Sequence, residues 1–350
     1  MAIRCLVVDD SALVRQMLTE LLESDGSISV VGAAPDPLVA REKIKELNPD
    51  VLTLDIEMPR MDGLSFLEKV MTLRPMPVVV VSSLTQKGAD AAVRAMELGA
   101  VDYVGKPLVD VRQGLEELRF ELLHKVKAAA KARVKARDKA AAPQKPLVFD
   151  HRLSSESRLV AVGASTGGVE ALQTLVTALP ANGPALVVTL HMPAGFTSSF
   201  ARRLNELSAM TVTEAKDGER VIPGHVYIAT GNQHLSLIRS GAHYRCSVHD
   251  GDRVSGHRPS VDVLFRSVAQ AAGANAAGVI LTGMGQDGAQ GLLEMRRAGS
   301  MTIGQDEATC LIYGMPKQAK LIGAVERELP LNRIAQELLT WSATAQTVRV

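Results

Sequence analysis

Aromatic residues are scarce: they make up 3% of the 350-residue chain, with a single tryptophan and four tyrosines. Any cores must therefore be built mainly from aliphatic side chains. Charge of one sign is not in excess either. The formal net charge is +1, which gives no global reason to expect nucleic-acid or membrane binding. Cysteine is limited to Cys5, Cys246 and Cys310, an odd and scattered set with no metal-ligand spacing. That excludes a disulfide framework and fits reduced thiols in a cytoplasm. No apolar run is long enough to span a bilayer, and the opening MAIRCLVVDD meets acid too early for a signal peptide. A soluble, cytoplasmic protein is expected. Repeats at a fixed period are absent as well. What remains is a chain 46% hydrophobic, with room for two or three domains.

The chain is organised around Leu159–Gly168, LVAVGASTGG. A short β-favouring run ends in a small-residue turn with one serine at its apex, and Val169–Leu179 then reads as an amphipathic helix. Gly163, Ser165 and Gly167 fit the G-x-S-x-G spacing of a nucleophile elbow. Gly-rich turns of this kind also bind phosphates, so two further stretches carry weight. Ala185–His191 is an apolar strand ending in a histidine, and Ala277–Asp287 runs through Gly-Met-Gly to an aspartate. In open parallel α/β sheets, ligands bind at the carboxyl ends of the strands. Ser165, His191 and Asp287 are thus expected on one sheet edge, as nucleophile, general base and orienting carboxylate. The backbone N–H groups of Thr166 and Met284 are the expected oxyanion donors. Asp262 and Asp217 compete with Asp287, but neither follows a strong apolar strand.

The first 125 residues show the same habit. Ile3–Val8 ends in Asp9-Asp10, Val51–Leu54 in Asp55, Val78–Val81 in Ser82-Ser83, and Asp102–Gly105 leads into Lys106-Pro107. Helical patterns separate these runs, which predicts a parallel sheet. Three clustered carboxylates are costly unless a cation binds among them, and Mg²⁺ suits such oxygen ligands. Asp9 and Asp10 are its expected holders, with Asp55 reaching both the metal and an incoming phosphoryl group. Lys106 and Ser82 are placed to engage the phosphate oxygens, and Asp62-Gly63 reads as a turn.

Lys125–Lys145 is basic and Ala-rich, with Asp138 its single acid, and Pro143 and Pro146 close the segment. It reads as a solvated linker, about Val126–Leu153, that prolongs the preceding helix and then becomes a tether. Beyond it, Thr211–Glu214, Val226–Ala229, Leu235–Ile238 and Tyr244–Val248 read as short strands, some forming a β-hairpin away from the main sheet. Helices are predicted over Gly195–Ala209, Val261–Ala272, Gln290–Ala298 and Leu331–Thr340, with a turn into another at Gly314-Met-Pro. This half is expected to be a doubly wound, mostly parallel α/β domain. The other histidines, His225, His234, His243, His249 and His257, lack ligand spacing and read as surface or core residues.

VVDD at Val7–Asp10, LDIEMPRMDG around Asp55, VVSS and GKP resemble the receiver domain of bacterial response regulators. That resemblance implies a flavodoxin-like five-stranded parallel sheet phosphorylated on Asp55. Its metal ligands would be Asp10, Asp55 and the Glu57 backbone carbonyl, assisted by Asp9. The switch hydroxyl would be Ser82, with Ser83 the alternative, alongside Lys106 and the mobile aromatic Tyr103. GASTGG, TLHMP, HRPSVDVLF and LTGMGQDGA resemble the methylesterase domain of bacterial chemotaxis. Together the two likenesses divide the chain into a receiver (1–125), a linker (126–153) and a catalytic domain (154–350). They imply a phosphorylation-activated serine hydrolase, whose receiver covers the catalytic edge until phosphorylated. It would cleave glutamate γ-methyl esters and deamidate glutamines on methyl-accepting chemoreceptors. A chemotaxis histidine kinase would be the phosphodonor, and the family triad falls on Ser165, His191 and Asp287. A monomer without nucleic-acid partners and without direct membrane insertion is expected, and the hydrolase itself needs no cofactor. The competing reading is a phosphorylation-controlled binding module whose GASTGG turn holds a nucleotide phosphate.

Overall fold

A computed structural model describes residues 2–58, 63–83, 85–106, 112–134 and 158–344. The chain divides into two units, Met1–Ala141 and Ala142–Val350. Most of the expected linker, together with Asp62 and Pro107, lies outside the described residues.

Among the described residues of the first unit, five strands alternate with five helices: β1 (Ile3–Val8), α1 (Ala12–Glu23), β2 (Ile28–Ala34), α2 (Pro37–Leu47), β3 (Val51–Asp55), α3 (Gly63–Leu73), β4 (Val78–Ser82), α4 (Gln86–Glu97), β5 (Asp102–Gly105) and α5 (Arg112–Ala129). All pairings are parallel, in the order β2-β1-β3-β4-β5, which is the flavodoxin-like arrangement. The central strands β3 and β4 are buried along their whole length, as their near-continuous apolar runs require. Local signals set the helix ends. Asp36 accepts hydrogen bonds from the Leu38 and Val39 N–H groups ahead of Pro37, and Asn48 closes α2 in the left-handed region. The strand β2, ISVVGAA, was not evident from periodicity, because it mixes small residues with few large apolar ones. Helix α5 runs past Lys125 to Ala129, and Val126, Ala128 and Ala129 are buried. Residues assigned to the start of the linker therefore belong to the packed unit.

The second unit continues with β6 (Leu159–Ala164), α6 (Gly168–Thr177), β7 (Ala185–Leu190), α7 (Phe196–Leu207), β8 (Thr211–Glu214), β9 (Arg220–Val221), β10 (His225–Ile228), β11 (His234–Ser240) and β12 (His243–His249). Then follow α8 (Val261–Ala272), β13 (Ala276–Ile280), α9 (Ala289–Arg297), β14 (Met301–Gln305), α10 (Met315–Leu321), β15 (Arg327–Leu329) and α11 (Leu331–Thr344). Seven strands form one parallel sheet in the order β15-β14-β13-β6-β7-β10-β8, while β11, β12 and β9 form a separate antiparallel sheet. Two of the four short strands read from the sequence thus extend the main sheet, and the other two make the hairpin. Strands β14 and β15 have weak signals of their own: MTIGQ is broken by glycine and glutamine, and REL is three residues with two charges. They form where neighbouring strands supply the ladder. Helices α6, α7 and α11 pack on one side, while α8, α9 and α10 pack on the other. The core beneath α8 gathers Val187, Tyr227, Leu264, Phe265, Leu292 and Met295. All three cysteines are free and buried.

Candidate functional site

Strand register places the first two residues of the second site. β6 and β7 pair with Ala164 opposite Leu190, so Ser165 and His191 leave the sheet side by side. β13 flanks β6 on its other edge, with Ile280 opposite Gly163. The chain order passes from β6 to β7 on one side and returns to β13 on the other, so the edge above β6 is the topological switch point. The ladder runs on past the strands: Leu281 N–H donates to Gly163 O and Ser165 N–H to Thr282 O. Gly283 then lies against the serine, where a Cβ would come within 2.7 Å of Ser165 Cβ. Gly167 adopts φ +78°, a left-handed turn that starts α6 immediately beyond the serine and suits glycine.

His191 Nδ1 is 3.1 Å from Ser165 Oγ, and Nε2 is 2.7 Å from Asp287 Oδ2. The imidazole is nearly buried, with its side chain 8% exposed, and Asp287 is 1% exposed. An ionised carboxylate only accepts, so the proton sits on Nε2 and the Nδ1 lone pair faces the serine hydroxyl. Asp287 arrives by a route that strand-end placement alone does not reveal. Its Oδ1 accepts from Ser260 Oγ (2.8 Å) and Asp262 N–H (3.1 Å), and its Oδ2 also accepts from Val261 N–H (2.7 Å). These donors form the first turn of α8, so the carboxylate caps that helix from another part of the chain. Burial pushes the Asp287 pKa up, but the His191 hydrogen bond and charge, with these further donors, outweigh it and hold the carboxyl below its usual range.

The two rival aspartates serve otherwise. Asp262 is buried and accepts from Gly291 N–H at 2.7 Å, tying α8 to the start of α9. Burial, aided by the nearby Asp287 charge, raises its pKa. Asp217 accepts from Val248 N–H in the small sheet. His234 is buried, its Nδ1 accepting from Ser260 N–H and its Nε2 donating to Asp252 O. Thr166 is buried in the turn after the serine, and Met284, half-buried, follows Gly283. The Met284 N–H has no hydrogen-bond acceptor among the described residues. His257 was not singled out as a functional residue, yet its ring lies on that of His191. The HRPSVDVLF stretch that begins at His257 carries the family likeness, but no strand or helix spacing in the sequence shows that this ring meets His191.

At the carboxyl edge of the first sheet, β1 and β3 pair with Val8 opposite Leu54, which brings Asp9 and Asp55 together. Asp9, Asp10 and Asp55 offer oxygens within 4.8 Å of one another, the one group able to hold a metal among the described residues. Lys106 Nζ donates to Asp55 Oδ2 at 2.7 Å and lies 3.1 Å from Asp9 Oδ2. Asp9 Oδ2 is buried and, apart from its ion pair with Lys106, has no hydrogen-bond partner. A buried carboxylate oxygen left in that condition, beside two other carboxylates, fits a divalent cation. Burial raises the Asp55 pKa more than Lys106 and the Glu57 N–H lower it. For Lys106, burial works against the charge, but Asp55 and Asp9 outweigh it and the pKa rises. The buried Ser82 hydroxyl donates to Gly88 O at 2.9 Å, whereas Ser83 Oγ pairs with Thr85 Oγ1. Glu57 turns its carboxylate to Ser83 N–H at 2.8 Å, and those hydrogen bonds overcome burial to lower its pKa. Tyr103 is buried. Lys125 Nζ sits 4.6 Å from its ring centroid and donates to Tyr103 O, with Glu121 and Asp102 as ion partners. The sequence left Lys125 at the receiver boundary; its role under the aromatic depended on how α5 meets β5.

Comparison with known proteins agrees with both halves. A family model described as CheB methylesterase matches residues 160–338, and one described as response regulator receiver domain matches residues 5–119. A protein-glutamate methylesterase/protein-glutamine glutaminase of Xanthomonas oryzae pv. oryzae is 56% identical over 352 residues, with 98% of each chain covered. One from Yersinia pestis bv. Antiqua is 56% identical over 349 residues, with 99% of each covered. The crystal structure of the Thermotoga maritima CheB methylesterase catalytic domain superposes with a TM-score of 0.51 at 38% identity, covering 52% of this chain and 97% of that one. With a receiver sheet, a parallel sheet carrying serine, histidine and aspartate at its switch point, and such likeness along nearly its whole length, the chain belongs to the CheB methylesterase family.

Proposed function

We propose that this chain is a phosphorylation-activated serine hydrolase of bacterial chemotaxis. Its substrates are glutamate γ-methyl esters, and specific glutamine side chains, on methyl-accepting chemoreceptors. The observation that carries this reading is the His191 ring held between Ser165 Oγ at 3.1 Å and Asp287 Oδ2 at 2.7 Å. In this reaction His191 Nδ1 takes the Ser165 proton as Oγ attacks the ester carbonyl carbon. The imidazolium so formed is stabilised by Asp287, and the tetrahedral oxyanion by the Thr166 and Met284 N–H groups. Collapse expels methoxide, which receives the proton from Nδ1 and leaves as methanol; an amide substrate releases ammonia in the same way. Water, deprotonated by His191, then attacks the acyl-serine, and glutamate is released as Ser165 recovers its proton.

The first unit supplies control. Asp55 is the phosphoacceptor, and a chemotaxis histidine kinase is the donor. Asp9, Asp10, Asp55 and the Glu57 backbone carbonyl would hold Mg²⁺, which when bound offsets the charge of the phosphoryl group. Lys106, already against Asp55, pairs with a phosphoryl oxygen. Ser82 leaves the Gly88 carbonyl to donate to another, and Tyr103, whose ring lies against Lys125 before phosphorylation, repacks. Among the described residues no helix is long and apolar enough to cross a membrane, in keeping with action in the cytoplasm on receptor cytoplasmic helices.

The test is methanol release from methylated receptor, with covalent labelling of the serine in parallel. Ser165→Ala is expected to lose nearly all release and all labelling. Wild-type release by that variant would remove Ser165 as nucleophile.

A further inference from the structure

Just before α8 the chain makes a two-residue turn that faces the catalytic histidine. Val254 and His257 exchange both backbone hydrogen bonds, each at 3.0 Å, and the residues between them, Ser255 and Gly256, have φ of +54° and +82°. Positive φ at both central positions is the turn that matches the twist of paired strands. The turn is tied to its surroundings on two sides. Ser255 Oγ is 3.5 Å from Asp262 Oδ2, and the Arg258 guanidinium donates to Gly251 O at 2.7 Å. Held this way, it lays the His257 ring flat on His191, with centroids 3.7 Å apart and 11° between the planes.

We infer that His257 is a positioning residue for the hydrolysis assigned above, fixing the plane of the His191 ring through this stack. The inference rests on the hydrolase reading and goes beyond it. Both hydrogen bonds of His191 lie on the edge of its ring. Edge contacts tolerate a rocking of the plane about the line that joins them. A flat ring at stacking distance on one face resists that motion, because tilting drives atoms of the two rings together. The same contact leaves no room for water on that face. Rocking about that line tips the Nδ1 lone pair out of line with the Ser165 hydroxyl and spoils the geometry of proton transfer, so losing the stack should appear in kcat. Substrate binding, which does not use the covered face, should change little.

The experiment compares His257→Ala, His257→Phe and His257→Leu in the full-length protein, with Ser165→Ala as reference. It reads kcat and KM for methanol release, the rate of Ser165 labelling by a fluorophosphonate, and thermal unfolding. His257→Ala is expected to lower kcat and the labelling rate about tenfold with KM within about twofold. His257→Phe, which keeps a flat ring, recovers most of the loss. His257→Leu fills the volume without a flat face and stays slow, so it decides the matter if the alanine variant does not fold. A folded His257→Ala with wild-type kcat, or a phenylalanine variant as slow as leucine, overturns the positioning role. If Ser165→Ala itself keeps activity, it is the hydrolase reading that fails.

Discussion

Asp287 shows how much one side chain can carry. It accepts four hydrogen bonds, from His191, Ser260, Val261 and Asp262. Asp287→Asn is therefore expected to reduce kcat by about 10⁴, because an amide N–H aimed at Nε2 would force the proton onto Nδ1. Asp287→Ala strands the same donors in a buried site and should also cost about 3 kcal/mol of stability, read as a fall in the denaturation midpoint. The pH dependence follows from the direction of the shift. Asp287 has a folded pKa below its ordinary value, so its contribution is complete above the unfolded carboxylate range of about 4. It is lost as pH falls through the folded pKa. The stability gap between wild type and Asp287→Asn should therefore shrink in acid, and a gap independent of pH between 2 and 6 (about the carboxylate range) would contradict this. At this scale the sequence was readable where polar residues end apolar strands: Ser165, His191, Asp9 and Asp55 all stand at such ends. His257, Ser260 and Lys125 were not readable, since their roles depend on tertiary contacts between segments with no shared local pattern.

Among the elements, α8 and its partners tie fold and site together. Asp287, preceding α9, accepts from the first turn of α8, while Asp262, in the first turn of α8, accepts from the first turn of α9. Each helix start is satisfied by a carboxylate from beside the other. This exchange was hidden in the sequence, where Asp262 looked only like a rival for the orienting role. The approach of α8 to the sheet depends on Gly163 in β6, where a Cβ would meet Val261 Cγ1 at 2.1 Å. Gly163→Ala is thus expected to push the first turn of α8 outward, destabilising the unit by about 1–3 kcal/mol. Because that turn holds Asp287, kcat should fall with it. A variant as stable and as fast as wild type would show that α8 adjusts without cost. Helices with strong apolar stripes, such as Val261–Ala272, matched the periodicity residue for residue. The strands β2, β14 and β15 did not, because small or charged residues leave little alternation and the neighbouring strands decide their conformation.

For the whole molecule, the composition already limited the answer: balanced charge, few aromatics and two runs of alternating strands and helices. The control reading gives the prediction that belongs at this scale. Asp55→Asn should abolish the rise in methanol release that follows addition of a small phosphodonor or the kinase. Full activation of that variant would separate phosphorylation from output. The three sealed sulfhydryls add a last consequence. Cys5 lies in the first unit, Cys246 and Cys310 lie in the second, and burial pushes each pKa up to about 12. An alkylating reagent should therefore tag each position only when the surrounding region breathes open. Timed mass spectrometry of the three tagged peptides then becomes a clock with separate hands for the two halves, reporting which one loosens first under heat, denaturant or signal.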